Sequence, residues 1–342
     1  MHIFVAGGAG YIGSVIVPTL LAKGHTVTAL DRMYFGDSLG THPNLTKVRG
    51  DLRGFDPACL KGVDAVIDVS GISNDPSCEL DADLTTAVNV GGGKRLANCA
   101  IEAGVRRYVY SSSCSVYGHG AGEGLMETSS RHPVSAYARS KVELEDTLTK
   151  MHAEGAMEVV VFRLATVFGL SPRMRFDLAI NVMTKNAYVN RRITVDGGGR
   201  QWRPFVHVKD VADAFLQGVT RDAKLVNGEV FNVGSTANNL RILNLAFRVR
   251  DAIPGTEIVH AATDPDLRDY NVSFEKIEKR LGWTAQYSVD DGIAEVLAAL
   301  KDGRLDPDER RFYTVRQYLF LREAENTMRA LSLNGSLLGL DA

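Results

Sequence analysis

The chain opens on Met1-His2-Ile3-Phe4-Val5-Ala6-Gly7-Gly8-Ala9-Gly10-Tyr11-Ile12-Gly13, and no other stretch limits its possible folds so strongly. A short apolar run that ends in glycines and passes into Ser14-Val15-Ile16-Val17 reads as a buried strand, a tight turn and the first turns of a helix. Such a junction receives phosphate, because the N–H groups at a helix start lack intrahelical acceptors and face outward. In the Gly7-x-x-Gly10-x-x-Gly13 spacing, Gly7 allows the turn, Gly10 lets the backbone approach a pyrophosphate, and Gly13 lets the helix pack closely on the strand. Tyr11 and Ile12 complete the cradle.

The next strand, His25 to Leu30, ends at Asp31. A carboxylate there accepts hydrogen bonds from an adenosine ribose diol and repels a 2′-phosphate, so the expected dinucleotide is NAD. Arg32 beside it pulls the other way, toward a 2′-phosphate. Further strands are expected at Thr46–Gly50, Val63–Gly71, Arg107–Tyr110, Glu158–Leu164 and Glu229–Val233, with helices at Leu84–Gly104, from Pro133 onward, at Val206–Gly218 and at Leu240–Ile253. Pro18 falls inside the first helix, a local conflict.

Alternating strands and helices imply an α/β fold of the Rossmann type, a doubly wound parallel sheet with ligands beyond the strands' carboxyl ends. Asp51 and Leu52 arrive at one such end, where Asp51 either adjoins the adenine or caps a turn. Ser70 closes the fourth strand among small residues, and the fifth leads into Ser111-Ser112-Ser113-Cys114-Ser115-Val116-Tyr117-Gly118. From Thr166 to Arg203 clean strands are few and arginines many. The expected division is a cofactor domain of residues 1–165 to which 204–234 return, a smaller interleaved substrate lobe of 166–203 and 235–300, and a helical extension of 301–342 that covers its own core or a partner subunit.

Composition excludes several classes. The formal net charge of −2, without a Lys/Arg run, leaves no footprint for nucleic acid. Four cysteines, Cys59, Cys78, Cys99 and Cys114, have neither metal-ligand spacing nor disulfide density, so no metal is expected. No apolar stretch is long enough for a bilayer, and a cofactor strand starting at His2 leaves no room for a signal peptide; the expected location is the cytoplasm.

Tyr137 and Lys141 lie four apart, on one face of a helix. The pair is common by chance and gains weight from following a cofactor fold and a serine cluster at a strand end. A phenol near pKa 10 is a poor base at neutral pH; an ammonium and an oxidised nicotinamide nearby would favour the phenolate. Lowering the pKa to about 7 takes roughly 4 kcal/mol. Tyr137 would then accept a proton from a secondary alcohol as its hydride leaves, with Ser113 fixing the oxygen and Lys141 holding the nicotinamide ribose.

Together these elements resemble the extended short-chain dehydrogenase/reductases, specifically the NAD-dependent nucleotide-sugar epimerase/dehydratase group. The similarity spans about residues 1 to 300: the three glycines, Asp31, Asp51-Leu52, Asn89, Ser111-Ser112-Ser113, Tyr137-x-x-x-Lys141, and Arg203 before His207-Val208-Lys209-Asp210. The resemblance adds Asn89 to the cofactor residues, selects Ser113 as the third catalytic group, and makes Arg203 the clamp on a nucleotide-sugar diphosphate. It places Cys114, Thr166, Arg173, Arg175 and Arg268 on the substrate side, and implies a homodimer through helices near Leu84–Gly104 and Tyr137–Met151. Sugar dehydratases of this group usually carry Asp-Glu after the catalytic hydroxyl residue, where this chain has Cys114-Ser115. Many 4-epimerases carry Asn at the position of Thr166 and His-x-Ala-Ala at Asp68–Gly71. The expected activity is epimerisation of a nucleotide sugar through a keto intermediate, at C4. A dehydrogenase or reductase, or an atypical dehydratase, is the rival; a non-catalytic NAD sensor is the alternative of another class.

Overall fold

A computed structural model describes residues 1–118, 124–261 and 269–332. The strands are β1 (His2–Ala6), β2 (Thr26–Asp31), β3 (Leu45–Arg49), β4 (Ala65–Asp68), β5 (Arg107–Ser113), β6 (Glu158–Leu164), β7 (Thr166–Phe168), β8 (Arg192–Val195), β9 (Trp202–His207), β10 (Glu229–Val233), β11 (Asn239–Arg241) and β12 (Glu257–His260). Longer helices are α1 (Gly13–Ala22), α2 (Gly93–Glu102), α3 (Ala136–Ala153), α4 (Ala179–Asn190), α5 (Val208–Thr220), α6 (Ile242–Ala252), α7 (Val289–Lys301) and α8 (Thr314–Leu331).

Seven parallel strands form one sheet in the order β10-β6-β5-β4-β1-β2-β3. The direction of winding reverses at β1 and β4, so the loops after those strands separate and leave a crevice. Each central strand is an almost continuous apolar run, as burial on both faces requires: Ile3, Phe4 and Val5 in β1, and Val159 to Phe162 in β6, are fully buried. One face packs under α1 and α5 through Ile16, Leu20, Phe215 and Val219, and the other under α2 and α3 through Leu96, Ala100, Leu144 and Leu148. Pro18 is tolerated in α1 on its exposed side.

Two smaller sheets, β11-β9-β7 and β12-β8, pack with α4, α6 and α7 around a second core that includes Phe168, Phe205, Leu245 and Ile293. Val206 and His207, expected in a helix, are the end of β9, and the helix starts at Val208. Leu240 likewise belongs to β11, with α6 beginning at Ile242. In both places a short β-bridged segment runs straight into a helix, and apolar periodicity alone does not mark the change.

The segment read as one helix, Leu84 to Gly104, is three pieces: Ala82–Thr86, a π-helical stretch Ala87–Gly92, and α2. Gly91-Gly92-Gly93 explains the widening, since glycine holds helical geometry poorly. It also permits contact, because a Cβ on Gly93 would lie 2.3 Å from Leu144 Cδ2 of α3.

Candidate active site

The crevice is a cavity of about 780 Å³. Its floor is the glycine loop. A Cβ on Gly13 would lie 2.1 Å from the Gly7 carbonyl oxygen, and one on Gly7 2.8 Å from Ser70 Cα, so both positions hold backbone against backbone. Gly13 therefore acts through packing and is not on the wall, whereas Gly7, Gly10, Tyr11 and Ile12 are. The amides of Tyr11 and Ile12 donate to no described group, as an anion site at a helix start demands. The Tyr11 side chain points away: its hydroxyl donates to the Gly169 carbonyl (2.7 Å) and accepts from Asn181 (3.2 Å). Ser171 Oγ donates to the Tyr11 carbonyl (2.7 Å), so the loop after β7 is tied to the glycine loop.

Asp31 lines the cavity at the end of β2, its carboxylate accepting from the amides of Ala9 (3.1 Å) and Met33 (2.7 Å). Burial pushes its pKa up against these bonds. Arg32 lies over the Tyr34 ring and 3.5 Å from Asp51, which is also gripped by Arg53; Arg53 holds the Asp51 carboxyl down at about 2. Leu52 and Ser70 lie on the wall. Asn89 does not: it brackets the Ile72 backbone, accepting from its N–H (2.8 Å) and donating to its carbonyl (3.0 Å), and so shapes the loop after β4.

At the other end, Ser113, Tyr137 and Lys141 converge, since β5 ends at the cavity and the first turns of α3 pass over it. Ser113 lies beside the Tyr137 phenol and favours its ionised form. Lys141 Nζ donates to the Ser111 carbonyl (2.7 Å) and sits 5.6 Å from the Tyr137 ring centroid. Burial raises the Tyr137 phenol well above its ordinary value, with Cys78 and Asp75 adding to the rise, while Arg175 and Ser113 oppose it. Arg175, expected to face the sugar, also bears on the Tyr137 phenol and favours its ionised form. Burial lowers the pKa of the Lys141 ammonium from its ordinary value, with Asp68, Cys78 and Glu145 opposing the fall.

Helix α3 is fixed by a buried ion pair that the motifs do not reveal. Arg163 of β6 donates through Nη2 to Glu145 (2.8 Å), one turn beyond Lys141, and its Nη1 donates to the Tyr117 hydroxyl (3.0 Å) and the Glu127 carbonyl (3.1 Å).

Of the residues expected on the substrate side, Thr166, Arg173 and Arg175 line the cavity. Arg175 pairs with Asp177 and donates to Ser73 Oγ, and Asn74 holds the same carboxylate. Cys114 is a correction: it is 1% exposed, its thiol donates to the Arg163 carbonyl and lies off the cavity wall, and burial drives its pKa up. Its neighbour Ser115 faces the cavity instead, with a buried hydroxyl that has no partner among the described residues. Arg203 lies off that wall. It is buried in β9 over the Tyr270 ring (5.2 Å) and donates to the Trp202 carbonyl, and it is Tyr270 that reaches the wall. Arg268 lies outside the described residues.

The extension expected to cover a core covers the cavity. Thr314, Tyr318, Leu321, Arg322 and Glu325 of α8 recur at one-turn spacing and face it. Tyr318 packs edge-on against Tyr34 and Phe35, and Gln317 donates to the Tyr34 carbonyl (2.7 Å).

Comparison with known proteins accounts for this arrangement. Residues 3–234 match the NAD dependent epimerase/dehydratase family. The chain belongs to that family. It is 31% identical over 314 residues to a UDP-glucose 4-epimerase of Mycolicibacterium smegmatis, covering 87% of this chain and 97% of the relative. It is also 29% identical over 311 residues to a dTDP-glucose 4,6-dehydratase of Streptomyces griseus, covering 87% and 93%. Among solved structures, MoeE5 in complex with UDP-glucuronic acid and NAD superposes with a TM-score of 0.80 at 25% identity, over 89% of this chain and all of that one. The protein is thus an enzyme of an NAD-dependent sugar-nucleotide epimerase/dehydratase family, with NAD as its cofactor. No helix among the described residues is long and apolar enough to cross a membrane.

Proposed function

We propose that the protein is a nucleotide-sugar epimerase, inverting a secondary alcohol, at C4, through a transient ketone. The observation that carries this reading is the wall beside Ser113. The catalytic hydroxyls and ammonium are present, while Cys114 is turned into the core and Ser115 supplies only a hydroxyl, so the acid and base that elimination of water needs at this place are missing.

NAD is to be held by Gly7, Gly10 and the Tyr11 and Ile12 amides at its pyrophosphate, by Asp31 at the adenosine ribose, and by Lys141 at the nicotinamide ribose. When bound and oxidised, it supplies a hydride acceptor. Tyr137 exchanges a proton at Oη with the sugar hydroxyl; Ser113 donates to the same oxygen and holds it in line. Arg175 and Lys141 supply the positive potential that offsets the burial-raised pKa of Tyr137. Thr166 and Arg175 contact the sugar. Closure of the cavity by α8 excludes water from a ketone that must be reduced again before it escapes. Pairing of two chains through the outer faces of α2 and α3 is the accompanying assembly, to be tested by sedimentation.

The test is incubation with UDP-, dTDP-, GDP- and CDP-sugars without added cofactor, followed by NMR of the products. A pair of epimers supports the reading; stoichiometric NADH, or a 4-keto-6-deoxy sugar, overturns it.

A further inference from the structure

The loop after β7 carries a charge that no described residue matches. Arg173 is 4% exposed and lines the cavity. Its guanidinium lies 3.7 Å from the centroid of the Phe35 ring and donates to the Met174 carbonyl (3.3 Å) and to Thr314 Oγ1 of α8 (3.1 Å). No carboxylate among the described residues pairs with it. The two acids whose fields it feels are committed elsewhere: Asp31 to the amides of Ala9 and Met33, and Asp177 to Arg175 and Asn74. Burial, with Arg175 nearby, brings its pKa down to about 9, so it remains cationic at neutral pH.

A buried cation without a counter-charge is costly, and a five-donor fork with two acceptors has donors to spare. Its place says which anion completes it. Arg173 is two residues from Ser171, whose hydroxyl is bonded to the Tyr11 carbonyl, and it shares the cavity wall with Gly10, Tyr11, Ile12 and Asp31. Arg175, by contrast, acts on Tyr137.

We propose that Arg173 is a cofactor-binding residue that receives the pyrophosphate of the dinucleotide opposite the glycine-loop amides, and that Thr314 makes α8 part of the cofactor site by aiming it. The proposal rests on NAD lying in this cavity. It moves Arg173 from the sugar to the cofactor, and it gives α8 a chemical role: the helix holds the cation that neutralises the diphosphate. A cofactor gripped from both sides suits an enzyme that must return its hydride to the same substrate.

The experiment is equilibrium titration of the full chain, freed of carried nucleotide, with NAD, ADP-ribose, adenosine and UDP, for wild type, Arg173→Met, Arg173→Lys and Thr314→Val. Loss of a charge-assisted hydrogen bond to phosphate is expected to weaken NAD and ADP-ribose about 30-fold in Arg173→Met. Arg173→Lys and Thr314→Val should lose less, and adenosine and UDP should change by no more than about twofold. Without ligand, Arg173→Met should melt no lower than wild type, because an apolar side chain of similar length replaces an unmatched charge, while the rise in melting temperature on adding NAD shrinks. Unchanged NAD and ADP-ribose affinities, or a loss confined to UDP, overturn the proposal while leaving NAD as the cofactor. Failure of wild type to bind NAD overturns the cofactor reading and the proposal with it.

Discussion

Glu145→Gln removes one charge from the pair that fixes the catalytic helix, and its effect can be worked out. Glu145 and Arg163 are 2% and 4% exposed, and Arg163 makes its strongest contacts with this carboxylate through Nε and Nη2. Glutamine keeps the shape and loses the charge, leaving Arg163 with only the Tyr117 hydroxyl and the Glu127 carbonyl as other acceptors. Breaking a buried ion pair from one side costs about 3–5 kcal/mol. With an unfolding entropy of ~2.1 cal/mol/K per residue, a chain of 342 residues loses about 1 °C of melting temperature for every 0.7 kcal/mol. Differential scanning calorimetry should show a fall of roughly 4–7 °C. The doubly apolar Glu145→Leu, Arg163→Met variant should recover much of it, because no charge is then left unmatched. Turnover should fall with the single variant as well, since Glu145 lies one turn from Lys141 on α3. A single variant within about 1 °C of wild type, or a double variant worse than the single, would refute the reasoning.

Tyr137→Phe should reduce turnover by about 10²- to 10⁴-fold while NAD affinity stays within about twofold, read by parallel kinetic and binding titrations; an active variant would remove Tyr137 from proton transfer. The cluster behind the loop after β7 sets an acid limit. Burial raises the Glu295 carboxyl, but hydrogen bonds from His207, Lys209 and the Leu170 amide outweigh it and bring it to about 2. A depressed carboxyl contributes stability above its unfolded pKa of about 4.3 and loses it as pH falls toward the folded value, so stability should decline between about pH 5 and 2, less steeply in Glu295→Gln. Gly13→Ala forces a Cβ to 2.1 Å from the Gly7 carbonyl oxygen, and should cost about 3 kcal/mol and the NAD site together, visible as a lower melting temperature that NAD no longer raises.

The sequence carried the central sheet well because burial on both faces writes itself as apolar runs. Glu158–Leu164 and Glu229–Val233 fall where the pattern put them. Gly7, Asp31, Ser113, Tyr137 and Lys141 were legible for a related reason: each sits at a strand end or helix start, where local geometry restricts the residue. What stayed hidden depends on distant contacts. Cys114 and Ser115 are neighbours, yet only the second faces the cavity, because Ser113 ends a strand and a short helical turn then rotates the chain. Asn89 serves a loop 17 residues away, and Arg203 packs on Tyr270, so neither reaches the wall that the motif suggested. Arg163 and Glu145 are ordinary charges in a strand and a helix until the fold buries them together. The role of α8 could not be seen from its own residues, because its partners Tyr34, Phe35 and Arg173 lie far back in the chain.

The central claim, that hydride is taken from and returned to the same carbon, is tested most directly with a nucleotide sugar deuterated at C4. The expected product is an epimer that keeps its full deuterium at C4, with none found at C6 and none in free cofactor. Deuterium appearing at C6 of a 4-keto-6-deoxy product, or in released NADH, would contradict it.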